Sequence, residues 1–191
     1  MPAVLSKILD LLCLPGKWVS WLVLPLIASI LIAILWAKMG MNTLFSWGTP
    51  IPVLGRALTV NGLFDLQWYI FSLLVLFGGA WALRDDKHVA VDFLSLMMSY
   101  RQRLFVRMLG DLLFLLPFCL IIAWYGWSFA LTAWNTGEGS TQGGLNSRWI
   151  IKSMLPLSFA LLGLMGLLRG LGAAIELLRG TDQSGEWKDL P

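Results

Sequence analysis

Charge is scarce in these 191 residues: Asp, Glu, Lys and Arg make up 13%, about half the share found in soluble domains. Histidine occurs once, at His88, and cysteine twice, at Cys13 and Cys119. Each shortage excludes something. A lone imidazole excludes a two-His metal site or a bis-His haem built by this chain alone. Two cysteines in apolar surroundings read as buried free thiols, because disulfide scaffolds are Cys-dense. No G-x-x-x-x-G-K-[ST] occurs, so nothing here cradles nucleotide phosphates. Lys+Arg exceed Asp+Glu by only 14 − 11 = 3. No strongly basic helix carries interleaved aromatics, so nucleic acid is not an expected partner.

What abounds is apolar. Hydrophobic residues reach 58% and mean hydropathy is +0.75. A bilayer core takes about 20 apolar residues in a helix. Four stretches qualify, at about 18–37, 64–83, 110–134 and 153–178. The expected fold is an all-α membrane protein, one domain over 1–191, with four transmembrane helices and short amphipathic interfacial helices. Pro25 and Pro117 fall inside the first and third spans and read as kinks, which membrane helices tolerate. No clear small-x-small cleavage site follows the first run, so it is expected to remain as a helix. The spans do not resemble each other in pairs, so the repeat design of many transporters is missing.

Basic residues set the direction. Lys7, Lys17, Arg84, Lys87, Arg101, Arg103, Arg107, Arg169, Arg179 and Lys188 fall on one side. Lys38, Arg56, Arg148 and Lys152 fall on the other. The positive-inside rule then makes both termini cytoplasmic. Trp18, Trp21 and Trp36, Trp68 and Trp81, and Trp134 and Trp149 mark span edges, where amphipathic rings favour the headgroup level.

The connectors carry their own patterns. Residues 1–16 alternate apolar side chains with Lys7 and Asp10 and read as an interfacial helix, ended by Pro15-Gly16. Residues 84–107 form the cytoplasmic connector. It has an apolar stretch and then Arg101, Arg103 and Arg107, which reads either as an interfacial segment with its arginines near anionic headgroups or as a simple positive-inside anchor. The cluster Arg84-Asp85-Asp86-Lys87-His88 is expected to fix a turn, with Asp92 capping the next helix. The outer loop from Lys38 to Phe64 contains Thr49-Pro50-Ile51-Pro52 and Gly55, so it is not one continuous helix. Residues 179–191 form a cytoplasmic tail.

The middle of every span is uncharged. Asp65 lies at the outer mouth of span two and Asp111 at the inner mouth of span three. Arg169 lies in the inner half of span four, where a long side chain can snorkel. Ion paths and proton relays need ionisable groups or broken helices near the midplane. Their absence points to an accessory or scaffold role. Gly163, Gly166, Gly170 and Ala174 form a small-residue stripe on span four, suited to close helix approach within this chain or against another subunit. Trp124, Tyr125 and Trp127 in span three face a partner helix or lipid.

Several motifs then combine. Asp65-Leu66-Gln67-Trp68 opens span two, and Leu83-Arg84-Asp85-Asp86-Lys87-His88-Val89-Ala90-Val91-Asp92 closes it. Gly137-Glu138-Gly139-Ser140, Gly143-Gly144-Leu145 and Arg148-Trp149-Ile150-Ile151-Lys152 lead to Leu155-Pro156 in span four. Over roughly residues 17–180 this resembles the small integral-membrane subunit, DctQ-type, of tripartite ATP-independent periplasmic (TRAP) transporters. The branch labelled mannitol/chloroaromatic or 2-oxo-acid transport is nearest. Lys87 and Ala90 stand where that family often has Gly and Arg.

The resemblance implies a non-enzymatic subunit of the bacterial inner membrane, without a cofactor of its own. It would brace a large permease subunit that holds sodium and moves as an elevator, while a periplasmic binding protein delivers an organic acid. Under it, Asp65, Gln67, Trp68, His88, Asp92, Trp124, Trp127, Gly166 and Gly170 are candidate large-subunit contacts. Glu138, Arg148 and Trp149 are candidates for docking the binding protein. Two rival classes are a membrane anchor for a redox or other enzyme complex and a self-sufficient small transporter acting as a homo-oligomer.

Overall fold

The computed structural model describes residues 3–84, 98–141 and 143–179. Four helices among them are long and apolar enough to cross a membrane: Lys7–Lys38, Val60–Leu83, Tyr100–Asn135 and Trp149–Leu178, here spans one to four.

Span one is built from three pieces. Helix α1, Ala3–Leu12, gives way at Cys13 to α2, Leu14–Ser20. Pro15 sits in the first turn of α2, where its missing N–H is an orphan in any case. The expected end signal is therefore corrected: Pro15-Gly16 opens a helix. Gly16 is there for contact, since a Cβ on it would lie 2.7 Å from the Phe77 carbonyl oxygen. Alanine in a helix interior normally gains about 1 kcal/mol over glycine. Here the obstacle is backbone, which cannot swing aside, and overpacking of this kind costs about 1–3 kcal/mol. Gly16→Ala is therefore expected to lower the melting temperature of the purified chain, and an unchanged or raised value would show that the helices can part freely.

The joint to α3, Val23–Lys38, lies at Trp21–Leu22. Pro25 lacks the N–H that would reach the Trp21 carbonyl. Leu24 N donates to it instead, at 3.2 Å, and Trp21 and Leu22 bond three residues back to Trp18 and Val19. The chain thus tightens to 3₁₀ geometry for one turn and continues.

Residues 38–64 hold a feature beyond the all-α expectation, an antiparallel hairpin of β1, Thr43–Ile51, and β2, Gly55–Thr59. The pairing runs from Thr43↔Thr59 to Ile51↔Gly55 with irregular register between. Trp47 Nε1 clamps it by donating to the Gly55 carbonyl at 2.8 Å. β2 runs straight into α4, Val60–Arg84, so span two starts a full turn before the expected residue 64.

Span three also starts early. Helix α5, Tyr100–Leu109, a π turn, Gly110–Leu115, and α6, Leu116–Asn135, run on without a break. Ser99 and Gln102 form a reciprocal capping box, with Ser99 N to Gln102 Oε1 at 2.8 Å. At 1.5 Å per residue such a helix is about 54 Å long, well beyond a hydrocarbon core of about 30 Å. Its first two turns therefore project, and they carry Arg101, Arg103 and Arg107. The π turn lies just before Pro117, where a helix must reroute hydrogen bonds anyway. Helix α7, Trp149–Arg179, makes span four and contains Pro156. Gly126 of span three makes room for it: a Cβ there would meet Pro156 Cδ at 3.3 Å.

The spans stand in a row, in the order one, two, four, three. Span one packs on two, two on four, and four on three, while spans one and three make no comparable contact. Burial follows that order: in the most apolar stretch of each helix the fully buried share is 11% for spans one and three, 22% for span two and 28% for span four. Most residues of the two middle helices are buried or half-buried and the outer two are largely exposed, so the helices form one layer with its core along their contacts. The glycine stripe explains the closest contact. A Cβ on Gly163, Gly166 or Gly170 would lie 3.0 Å from Cys119 Cβ, 2.8 Å from Leu115 Cδ2 or 2.8 Å from Leu112 Cγ. All three face span three of the same chain. The space where a side chain would stand on Gly166 and Gly170 is thus taken up by packing within this chain.

Candidate functional site

Polar side chains gather at the two ends of the row. At the inner end Asp111 sits in the π turn, beside Leu115 and below Gly170. Its carboxylate receives two parallel bonds from Arg169, Nε to Oδ2 at 2.7 Å and Nη2 to Oδ1 at 2.8 Å. The third arm, Nη1, donates to the Leu83 carbonyl at 2.7 Å. The carboxylate is 5% exposed and the guanidinium side chain 15%. Arg169 therefore does not snorkel, as a lone cation would. It is held inward by a fork-to-fork match with Asp111, and it also ties itself to the backbone of span two through the Leu83 carbonyl. One residue of span four fastens spans two and three together. Leu9 and Cys13 pack beside it, against Ala80, Leu83 and Met165, so the first helix closes over this joint. Tyr100 Oη adds a bond from the start of span three to Glu176 at 3.1 Å.

At the outer end Asp65, one turn into span two, accepts from the Leu145 N–H at 3.0 Å and faces Arg148 at 3.9 Å. Leu145 is buried beneath the loop. A Cβ on Gly144 would overlap the Asp65 carboxylate where it stands, so a side chain there would push that carboxylate off the Leu145 N–H. Asn146 N donates to the Val53 carbonyl at 2.7 Å, and Thr59 Oγ1 to that of Gly143 at 3.3 Å. The loop between spans three and four is thereby tied to both the hairpin and span two. Glu138 pairs with Lys152, whose ammonium also sits 3.9 Å above the Phe129 ring. Trp149 stands edge-on to Trp134, with ring centroids 4.5 Å apart.

Asp65→Asn keeps an oxygen for the Leu145 N–H and loses only a long ion pair, so it should shift stability by less than about 1 kcal/mol. Asp65→Ala strips a buried N–H of its acceptor and should cost about 1–3 kcal/mol. Equal melting temperatures for the two variants would contradict this division.

The sequence-derived candidates distribute unevenly over this geometry. Asp65, Glu138, Arg148 and Trp149 converge on the outer cluster. Trp68 is 68% exposed beside it, and the Gln67 amide nitrogen is buried without a hydrogen-bond partner. Trp124 and Trp127 lie 76% and 60% exposed on the flank of span three, far along the row from Trp68. Arg101 and Arg103 are exposed on the inner projection of span three, and Arg107 is partly covered. His88 and Asp92 lie outside the described residues. Sequence reasoning missed Lys152 as the partner of Glu138 and missed Tyr69, whose covered hydroxyl has Arg148 as its partner. A lone carboxylate at the mouth of an apolar helix was the available signal for a cluster, but its partners lie 80 residues away in sequence.

The family model for the DctQ component of tripartite ATP-independent periplasmic transporters matches residues 49–179. No curated protein matches the chain.

Proposed function

Because the chain belongs to the DctQ component family of tripartite ATP-independent periplasmic transporters, we propose that it braces the large permease subunit of a sodium-coupled carrier in the bacterial inner membrane. It is a multi-pass membrane protein, and its family is one of transporter components, not of enzymes. The observation that carries the proposal is the open row of helices. A single layer of helices does not wrap a solute path, and among the described residues the buried carboxylate, Asp111, is locked in a pair with Arg169 at one end. The layer offers instead a wide wall with extended faces against which another subunit can slide.

In this reading sodium and solute bind in the large subunit. The solute is an organic acid of the mannitol/chloroaromatic or 2-oxo-acid branch, delivered by a soluble binding protein. Trp68, Trp124 and Trp127 supply exposed aromatic surface to the large subunit, with Asp65 and Gln67 supporting Trp68. His88 and Asp92 remain candidates for the inner end of that contact. Glu138, Arg148 and Trp149 form the outer surface that meets the binding protein, and Arg101, Arg103 and Arg107 engage inner-leaflet headgroups. The elevator motion needs one part fixed, and projecting, lipid-anchored helices resist tilt.

The test is reconstitution. Vesicles with this chain, the large subunit and the binding protein should accumulate solute down a sodium gradient, and vesicles with this chain alone should not. Flux from the chain alone would refute the scaffold role. Joint replacement of Trp68 and Trp124 by alanine should weaken co-purification of the large subunit, and undiminished recovery would remove these residues from the contact.

A further inference from the structure

Left-handed backbone falls on glycine at Gly40, Gly55, Gly137 and Gly143, the residue type that adopts it without strain. Among the described residues two others share it, Val53 at φ 75° and Ser147 at φ 61°. A β-branched residue there is a genuine outlier, and any side chain crowds the following carbonyl. The two are far apart in sequence and meet in space. The Val53 carbonyl, in the hairpin turn, accepts from Asn146 N at 2.7 Å, and Ser147 follows directly. The fit around that bond is close. The Asn146 carboxamide lies between Gly55 of the hairpin and Gly139 of the outer loop. A Cβ on Gly55 would stand 3.2 Å from its Nδ2, and one on Gly139 would stand 3.1 Å from its Oδ1.

We infer that this junction is a strained clasp between the hairpin tip and the outer loop, closed here and poised to open, and that opening lets Val53 and Ser147 relax and redirects Arg148. The balance of terms supports a part that moves. A left-handed residue with a side chain costs about as much as one hydrogen bond contributes in net terms. Two such residues therefore offset the bond from Asn146 to Val53 and the longer one from Thr59 Oγ1 to the Gly143 carbonyl, at 3.3 Å. Each side of the clasp is also held together on its own. The hairpin base is closed by Val60 N to the Asn42 carbonyl at 2.9 Å, and Leu44 and Leu58 pack there against Ala33, Val60 and Leu63. The loop is closed by Ser140 N to the Leu145 carbonyl at 3.0 Å. The tip can therefore part from the loop while both keep their internal bonds. Arg148 comes next after Ser147, donates its N–H to the Glu138 carbonyl at 2.9 Å and faces Asp65 at 3.9 Å. A change of φ at Ser147 swings the chain at Arg148, so a load on the hairpin tip is felt there. Nothing in this depends on which partner meets Arg148.

Amide hydrogen exchange of the full chain in lipid nanodiscs, resolved to single residues, reads the clasp at Asn146. In the wild type this N–H is expected to exchange at least about tenfold faster than that of Val60 at the hairpin base. Val53→Asn and Ser147→Asn introduce the side chain that best tolerates left-handed backbone, and each should slow Asn146 exchange about tenfold. The Ser140 N–H, bonded within the loop, should not change. Val53→Pro fixes φ near about −65° and should abolish Asn146 protection, while retained protection at Val60 shows that the fold persists. Spin labels on Arg56→Cys and Thr141→Cys, both exposed positions, give a second reading. The wild type should show two separations, the Val53→Asn background the shorter alone and the Val53→Pro background the longer alone. Wild-type Asn146 as protected as Val60 would overturn the inference, as would asparagine variants that exchange as fast as wild type or one separation common to all three backgrounds.

Discussion

Replacing Arg169 by methionine is expected to lower the melting temperature of the purified chain by about 6–20 °C. Removing one partner of a buried ion pair costs about 3–5 kcal/mol, and each kcal/mol moves a chain of this size by about 2–4 °C. The loss arises because the Asp111 carboxylate is left almost fully buried in the π turn without its two donors, and because the Leu83 carbonyl loses the Arg169 donor. The pair itself need not be a net gain over apolar packing. Arg169→Met combined with Asp111→Leu should therefore recover most of the loss, though not the part that belongs to Leu83. Thermal unfolding of both variants in detergent decides the matter. A single variant as stable as wild type would mean that the ion pair is not what joins the inner ends.

Gly166→Val with Gly170→Val is expected to be about as damaging, roughly 4 kcal/mol, from two overpacked sites of about 1–3 kcal/mol each. Adjacent sites on one face do not add simply, and here they reinforce each other. Branched side chains at both positions would press on Leu115 and Leu112 and lift span four from span three where Arg169 has to reach Asp111. Membrane helices have little hydrophobic drive to re-associate, so close packing carries most of their affinity. The double variant should melt about 8–16 °C lower even without a partner. If it folded normally and only failed to bind the large subunit, the glycine stripe would be an intersubunit surface after all.

The four spans were legible because the bilayer imposes its own length and polarity on sequence. Apolar runs without charge from Trp18 to Ala37 and Leu66 to Leu83 leave little choice. Their ends were less legible, because helices do not stop where hydrophobicity stops. Tyr100 to Leu109 is polar enough to read as a connector, yet Ser99 and Gln102 cap it as helix, at a spacing that was visible in the sequence. The hairpin was hidden by its prolines: Pro50 and Pro52 read as breakers, while the pairing of Thr43 with Thr59 depends on partners distant in sequence. Arg169 was misread for a related reason. A single arginine in a span snorkels unless a carboxylate waits inside, and nothing local shows that Asp111, 58 residues earlier, is that carboxylate. The outer cluster was legible in its members and illegible in its connections. Asp65 and Arg148 stood out as charges at span mouths, but only the fold shows that Asp65 holds the Leu145 N–H.

Span four leaves the ribosome after the other three spans and yet takes a middle place in the row. Until it arrives, Asp111 waits without Arg169, and the Leu83 carbonyl of span two waits without the Arg169 donor. Biogenesis must therefore keep the first three helices apart, or let them separate again, so that the fourth can slide between the second and third. A nascent chain halted after Asn135 should accordingly be a substrate for membrane proteases, and release of span four is the event that rescues it.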